Sequence, residues 1–145
     1  MLATPEGYEA VVFAREDEIG LNKTVEVEFV EDGTIILIGA CPEGLGSAKF
    51  ESWLKSANSA HEMVERIGRE FELGGHKAAA IGLVLERASI DFVSEMDDDF
   101  VRSIFLNPQP SAQVAFSKAL ERYGENATVI AMPFGGATLP MPPAI

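Results

Sequence analysis

The sequence predicts an α/β fold, a mostly parallel sheet of three or more strands with helices on both faces. Two observations carry this. Short apolar runs at 34–40, 89–93 and 128–132 are too brief for helices and are bounded by turn residues. Between them lie longer stretches with helical apolar spacing, opened by Ser or Asp caps, and strands alternating with helices build parallel sheets. A length of 145 residues fits a single domain over 1–145.

The elements follow in order. Residues 5–19 fit either a helix opening at Thr4 or a buried strand through Ala10-Val11-Val12-Phe13-Ala14. Val25, Val27 and Phe29 alternate with Glu26 and Glu28, as in a half-exposed strand. Glu31-Asp32-Gly33 then turns the chain into the strand at 34–40, so an N-terminal β-strand pair is expected. Ser47 caps a helix carrying Phe50, Trp53 and Leu54. Ser59 and Glu62 form a capping box for a helix with Ala60, Met63, Val64, Ile67 and Phe71 on one stripe, ended by Gly74-Gly75. The stretch 76–87 is apolar nearly all round and reads as a central, covered helix. After the strand at 89–93, Ser94 and Asp97 open a short helix bearing Phe100, Val101, Ile104 and Phe105. Asn107-Pro108-Gln109-Pro110 reads as a rigid loop. Ser111 caps a helix with Ala112, Ala115, Phe116, Ala119 and Tyr123, closed by Gly124. A Gly/Pro-rich tail follows the last strand at 128–132.

Composition narrows the function. A net charge of −12 disfavours nucleic acid and anionic membranes, which need a positive surface. No apolar run approaches the roughly 18 residues of a membrane-spanning helix. The residues after Met1 lack the basic start and hydrophobic stretch of an export signal, and one cysteine makes no internal disulfide. Together these point to a cytoplasmic protein.

A parallel sheet binds ligands beyond the carboxyl ends of its strands, where helix N-termini present free N–H groups. That edge should collect the loops 41–47, 94–97 and 133–138. Gly44-Leu45-Gly46 is only part of a dinucleotide fingerprint, because Lys49 stands where the third glycine belongs, and no Gly-Lys-Ser/Thr triplet forms a P-loop. The two glycines serve either a tight turn or a small-anion site with Ser47. Glu43 is either a simple helix-proximal carboxylate or a partner for a substrate hydroxyl. His76 and Lys77 begin a helix, where dipole and cation together suit a carboxylate; the plainer alternative is a cap and a solvated Lys. Cys41 reads either as a small core residue or as a nucleophile needing a histidine. His61 falls opposite Met63 and Ile67 and should face solvent. Two His and one Cys lack metal-ligand spacing, and Asp97-Asp98-Asp99 reads as helix N-terminal charge rather than a calcium loop.

The segment Gly-Thr-Ile-Ile-Leu-Ile-Gly-Ala-Cys-Pro-Glu-Gly-Leu-Gly-Ser (33–47), followed by Phe50, resembles the C-terminal domain of the lactate racemase family, the nickel-pincer-nucleotide enzymes. So do Gly74-Gly75-His76-Lys77-Ala78, the strand around Asp91-Phe92-Val93-Ser94, and the stretch from Ser111 to Ala-Thr-Val-Ile-Ala-Met-Pro at 127–133. The resemblance runs in order over residues 30 to 140. It implies an α/β domain that closes over an N-terminal catalytic domain, with the active site in the cleft between them. That N-terminal half carries the histidines and lysine that hold the nickel cofactor. This chain has two histidines and no such segment, so no cofactor and no metal are expected in it. The family's substrate contacts come from the segment matching 75–80, where a Gln and, three residues on, a Lys are expected. Here Lys77 is followed by Ala78, Ala79 and Ala80, so one of the two polar partners is missing in either register.

The resemblance therefore implies a free-standing or excised closing domain. Its expected role is a binding or subunit module without catalysis of its own, paired with a separate catalytic chain or a second copy. Glu43, Gly44, Gly46, Ser47, His76 and Lys77 are its candidate ligand-binding residues, for a small carboxylate. The alternatives are a component of a 2-hydroxy-acid racemase or isomerase, an autonomous small-anion binder, and an enzyme using Cys41, Glu43 and His76.

Overall fold

β-branched runs supply the strands, and helices with one apolar face cover them. A computed structural model describes the backbone of residues 10–12 and residues 32–132. The strands β1 (Ala10–Val12), β2 (Gly33–Ile38), β3 (Ala88–Val93), β4 (Asn107–Pro108) and β5 (Val129–Ala131) form one sheet in the order β4-β3-β2-β1-β5. Every neighbouring pair is parallel. The helices α1 (Ala48–Ser56), α2 (Ala60–Arg69) and α3 (Gly75–Leu85) connect β2 to β3. The short helix α4 (Asp98–Ser103) leads to β4, and α5 (Ala112–Tyr123) crosses back to β5.

Side chains alternate across the sheet, and the two faces receive different helices. On one face Ile35, Ile90 and Phe92 meet Trp53, Leu54, Met63, Ala78, Val101 and Ile104. Burying residues such as Trp53, Leu54 and Met63 stabilises by about 1.5–3 kcal/mol each before entropy is counted. On the other face Ile36 packs under Ala115 and Ala119 of α5, flanked by Val93, Phe116 and Tyr123. The expected α/β class, parallel pairing and two-sided cover are all present.

The caps read from sequence are formed. Ser47, Ser59, Asp97 and Ser111 accept from the amides of Phe50, Glu62, Phe100 and Val114 at 3.4, 3.1, 2.9 and 3.2 Å. The Glu62 carboxylate reaches back to Asn58, taking both its backbone N–H and its amide side chain, and this holds the Glu62 carboxyl below its usual range. Gly124 ends α5 at a φ of +88°.

Several expectations need correction. Residues 10–12 are strand, which decides for strand there between the two readings. Asn107–Pro108 is a short edge strand against Asp91 and Phe92 rather than a loop, a place where proline's missing N–H costs no ladder bond. α2 ends at Arg69, so Gly74-Gly75 opens α3 instead of closing α2, and Phe71 lies past the helix and is exposed. α3 is covered on one side only, with Leu83 exposed on the other. The strand through Val25, Val27 and Phe29, the strand pair built on it and the tail 133–145 lie outside the described residues.

Candidate functional site

Because all strands run one way, their carboxyl ends share one edge. The helices α1, α4 and α5 begin there, and α3 begins there too because it leads back to the start of β3. The loops after β2 and β3 are laced together: Gly39 N–H donates to the Val93 carbonyl at 3.0 Å and Glu95 N–H to that of Ala40 at 3.2 Å. Within the first loop Gly44 N–H closes a turn onto the Cys41 carbonyl at 3.0 Å. Gly44 and Gly46 hold φ of +67° and +68°, so glycine is required by the turn itself; a methyl group there would meet only open space. Cys41 also adopts a left-handed φ of +51°, without glycine's freedom.

The N-terminus of α3 nests against the first turn of α1. A Cβ on Gly74 would lie 3.3 Å from the Phe50 nitrogen, and one on Gly75 only 2.4 Å from the Trp53 ring. Two bare residues thus let two helix starts lie side by side, one capped by Ser47 and the other carrying His76 and Lys77. This is the juxtaposition the sequence could only suggest. The loop holding Glu43, Gly44 and Gly46 leads directly into the first of these starts.

Charge at this edge is unevenly committed. Lys49 Nζ pairs with Glu72 Oε1 at 2.6 Å, and the second Glu72 oxygen accepts the Trp53 indole N–H at 2.6 Å. The Lys49 hydrogen bond first, and the Trp53 bond second, hold the Glu72 carboxyl below its usual range. Lys77, by contrast, is exposed and has no ion-pair partner among the described residues. His76 accepts the Gly74 amide on Nδ1 at 3.3 Å and stacks on Phe71 with centroids 6.2 Å apart. With Nδ1 accepting, the neutral ring carries its proton on Nε2.

The proposed nucleophilic trio is not assembled. No hydrogen bond joins Cys41, Glu43 and His76, and Cys41 sits half-buried against apolar neighbours. The second histidine is engaged elsewhere: His61, exposed as expected, meets Glu86 at 2.6 Å and Glu65 at 3.8 Å. The Glu86 hydrogen bond is the main cause that raises its pKa. Among the described residues no group of three or more His, Cys, Asp or Glu is placed to hold a metal ion. Asp97 caps α4 and Asp98 and Asp99 pair with Arg102, which accounts for the acidic run.

A model of the lactate racemase C-terminal domain matches residues 20–139. The chain belongs to that family. Its fold is similar to that of the lactate racemase apoprotein from Thermoanaerobacterium thermosaccharolyticum, with a TM-score of 0.68 at 18% identity, over 75% of this chain. The matched part is 27% of that protein's length, so the chain spans about a quarter of the racemase it resembles. No curated protein sequence matches it.

Two features of this lactate racemase C-terminal domain were not visible in the sequence. Below the 39–45 loop lies an apolar cavity of about 290 Å³, lined among others by Leu37, Ile38, Cys41, Leu45, Phe50 and Ile81. The only hint was that the apolar run of β2 continues to its last residue. Beside the α3 start, Phe71 and Leu73 are 76% and 79% exposed. Phe71 continues the α2 stripe in sequence, and that periodicity hid its exposure. The strand order reverses between β1 and β5, where open α/β sheets place their crevice, and the loops after both strands lie outside the described residues.

Proposed function

We propose that this chain is the substrate-closing half of a racemase-like assembly, a binding or subunit module that catalyses nothing alone. Its carboxyl edge docks against a separate catalytic chain, or against a second copy, and a small carboxylate is held between them. Membership of the lactate racemase C-terminal domain family supports a catalytic counterpart for this domain. The observation that carries the reading is the pairing of the exposed Phe71–Leu73 tip with an uncommitted Lys77 at one helix start. An apolar tip favours protein contact, and a lone cation in the first turn of a helix favours a carboxylate.

In this reading a nickel-pincer nucleotide, where the assembly uses one, is held by the partner, and the complex works in the cytoplasm. The substrate class is a 2-hydroxy acid, and the assembly is a racemase or isomerase. Lys77 orients the carboxylate while Glu43 accepts from the hydroxyl.

The test is capture of the tagged chain with its partner, followed by identification of what is bound. A specific partner carrying the missing histidines and lysine is expected, and Phe71→Ser with Leu73→Ser should release it. Thermal shift with 2-hydroxy acids should stabilise the pair and depend on Lys77. Stabilisation of the isolated chain, with no partner, would instead favour an autonomous anion binder.

A further inference from the structure

Parallel sheets covered by helices are normally apolar on both faces. The face beneath α5 is so only in part, with Ile36 and Val93 on it. Polar residues interrupt it: Thr34 lies beside Ser89, and Asp91, in the same row as Ile36, lies beside Asn107. These four residues floor a groove of about 440 Å³ that runs along the last two turns of α5. That volume falls within the roughly 300–1,000 Å³ range of ligand sites.

The hydrogen bonds show what the floor still lacks. Tyr123 O–H donates to the Asp32 carbonyl, so Thr34, 2.8 Å away, must donate to Tyr123. Ser89, 2.9 Å from Thr34, then donates in turn to Thr34, leaving its oxygen as an acceptor. Asp91 is 8% exposed, and Oδ1 accepts from the Asn107 amide at 3.1 Å. Oδ2 accepts from no described residue and is open to the groove, since no buried side-chain oxygen or nitrogen among these residues lacks a partner. The floor therefore offers open acceptors to a hydroxyl donor.

The wall offers the opposite. Lys118 and Arg122 stand one turn apart on α5, and among the described residues neither meets a carboxylate. Lys118 bonds only the Gln109 amide oxygen at 2.9 Å, and Arg122 stacks 5.0 Å from the Tyr123 ring centre. Arg102, across the groove, is already held by Asp98 and Asp99. Two cations with no carboxylate partner among the described residues stand out over one groove in a chain with 23 acidic and 11 basic residues.

We propose that this groove binds a phosphorylated polyol, with its phosphate on Lys118 and Arg122 and its hydroxyls on Asp91 and Ser89. Two cations match a phosphate monoester of charge about −1.5 to −2. A carboxylate acceptor recognises a neighbouring hydroxyl with a charge-assisted bond. The site is independent of the edge where the carboxylate reading lies.

Amide NMR of the whole chain, titrated with glycerol 3-phosphate, inorganic phosphate and glycerol, tests it. Saturable shifts are expected at 89–91, 107–109 and 118–122 with glycerol 3-phosphate. Inorganic phosphate should bind about tenfold more weakly, the worth of one charge-assisted hydrogen bond, and glycerol not at all. Lys118→Ala with Arg122→Ala, both on an exposed helix face that favours alanine, should abolish binding. Asp91→Asn, or Ser89→Ala if that variant fails to fold, should bring the two phosphates toward equal affinity. The proposal is overturned by an absence of saturable shifts or by equal binding of the two phosphates to the parent chain. Shifts confined to 74–77, or undiminished binding by the double variant, would overturn it as well.

Discussion

The indole N–H of Trp53 donates to the Glu72 carboxylate at 2.6 Å, and this bond fixes the segment before α3 onto α1. The same carboxylate holds Lys49, so one side chain organises both helix starts at the carboxyl edge. Glu72→Ala leaves the indole N–H without its acceptor and should lower the unfolding midpoint more than Glu72→Gln, which keeps an acceptor. Trp53 is the only tryptophan, so its emission reports the change directly.

The Lys49 bond, with Trp53 second, depresses the Glu72 carboxyl below the ordinary 4.5. Its stabilisation is therefore present above 4.5 and is lost as pH falls through the lowered folded value. The gap in denaturation midpoint between the parent chain and Glu72→Gln should shrink on acidification below 4.5. A gap unchanged over that range would show that the pair contributes nothing through ionisation.

Gly75→Ala should destabilise by about 1–3 kcal/mol, because its methyl would lie 2.4 Å from a Trp53 ring that is itself fully packed. Gly68→Ala is the matched control. It lies within α2 with open space around it, and should gain about 0.5–1 kcal/mol from helix propensity. Urea unfolding of the two variants should give opposite signs.

His61 bridges α2 to Glu86 at the end of α3, and the Glu86 bond raises its pKa above 6.5. This contribution is fully present below 6.5 and disappears as pH rises through the raised folded value. His61→Gln should be less stable than the parent at acidic pH and equal to it once the parent imidazole is neutral. NMR titration of the imidazole should show a midpoint above 6.5; one at or below it would contradict the pairing.

Ser111→Ala removes the acceptor for the Val114 amide at the start of α5 and should cost about 1 kcal/mol. Ser111→Asp, which restores an acceptor and suits the helix dipole, should recover most of it. Thermal unfolding of both variants is a sufficient measurement.

The sequence was most legible where physics is local. Serine and aspartate caps, β-branched runs and Gly124 each act within a few residues, and α1, α4, α5 and β3 lie where those signals put them. It was less legible where distant packing decides. Asn107-Pro108 carries every mark of a loop, and only the open edge beside Asp91 makes it a strand. Gly74-Gly75 is a helix breaker by composition, yet its two missing side chains serve the approach of Trp53 and Phe50, far back in the chain. Candidate site residues followed the same division. Ser47 and Lys77 were found as helix-start residues, whereas their adjacency depends on α1 packing against α3. The α5 groove escaped notice because Ser89 and Asp91 looked like ordinary strand residues until Asn107 and Lys118 were placed beside them.

The strand β1 lies between β2 and β5, so Ala10 is paired on one side with Thr34 and on the other with Val129. Residues from far-separated parts of the chain therefore form adjacent ladders near the centre of the sheet. Closing so long a loop carries an entropic cost before the contacts reward it, which slows folding of such parallel topologies. On the ribosome, the helices between β2 and β4 can assemble early, but β1 gains its second neighbour only after residue 131 has emerged. Until then one ladder of β1 stays open, and this interval is when the chain is most exposed to mispairing with another nascent copy.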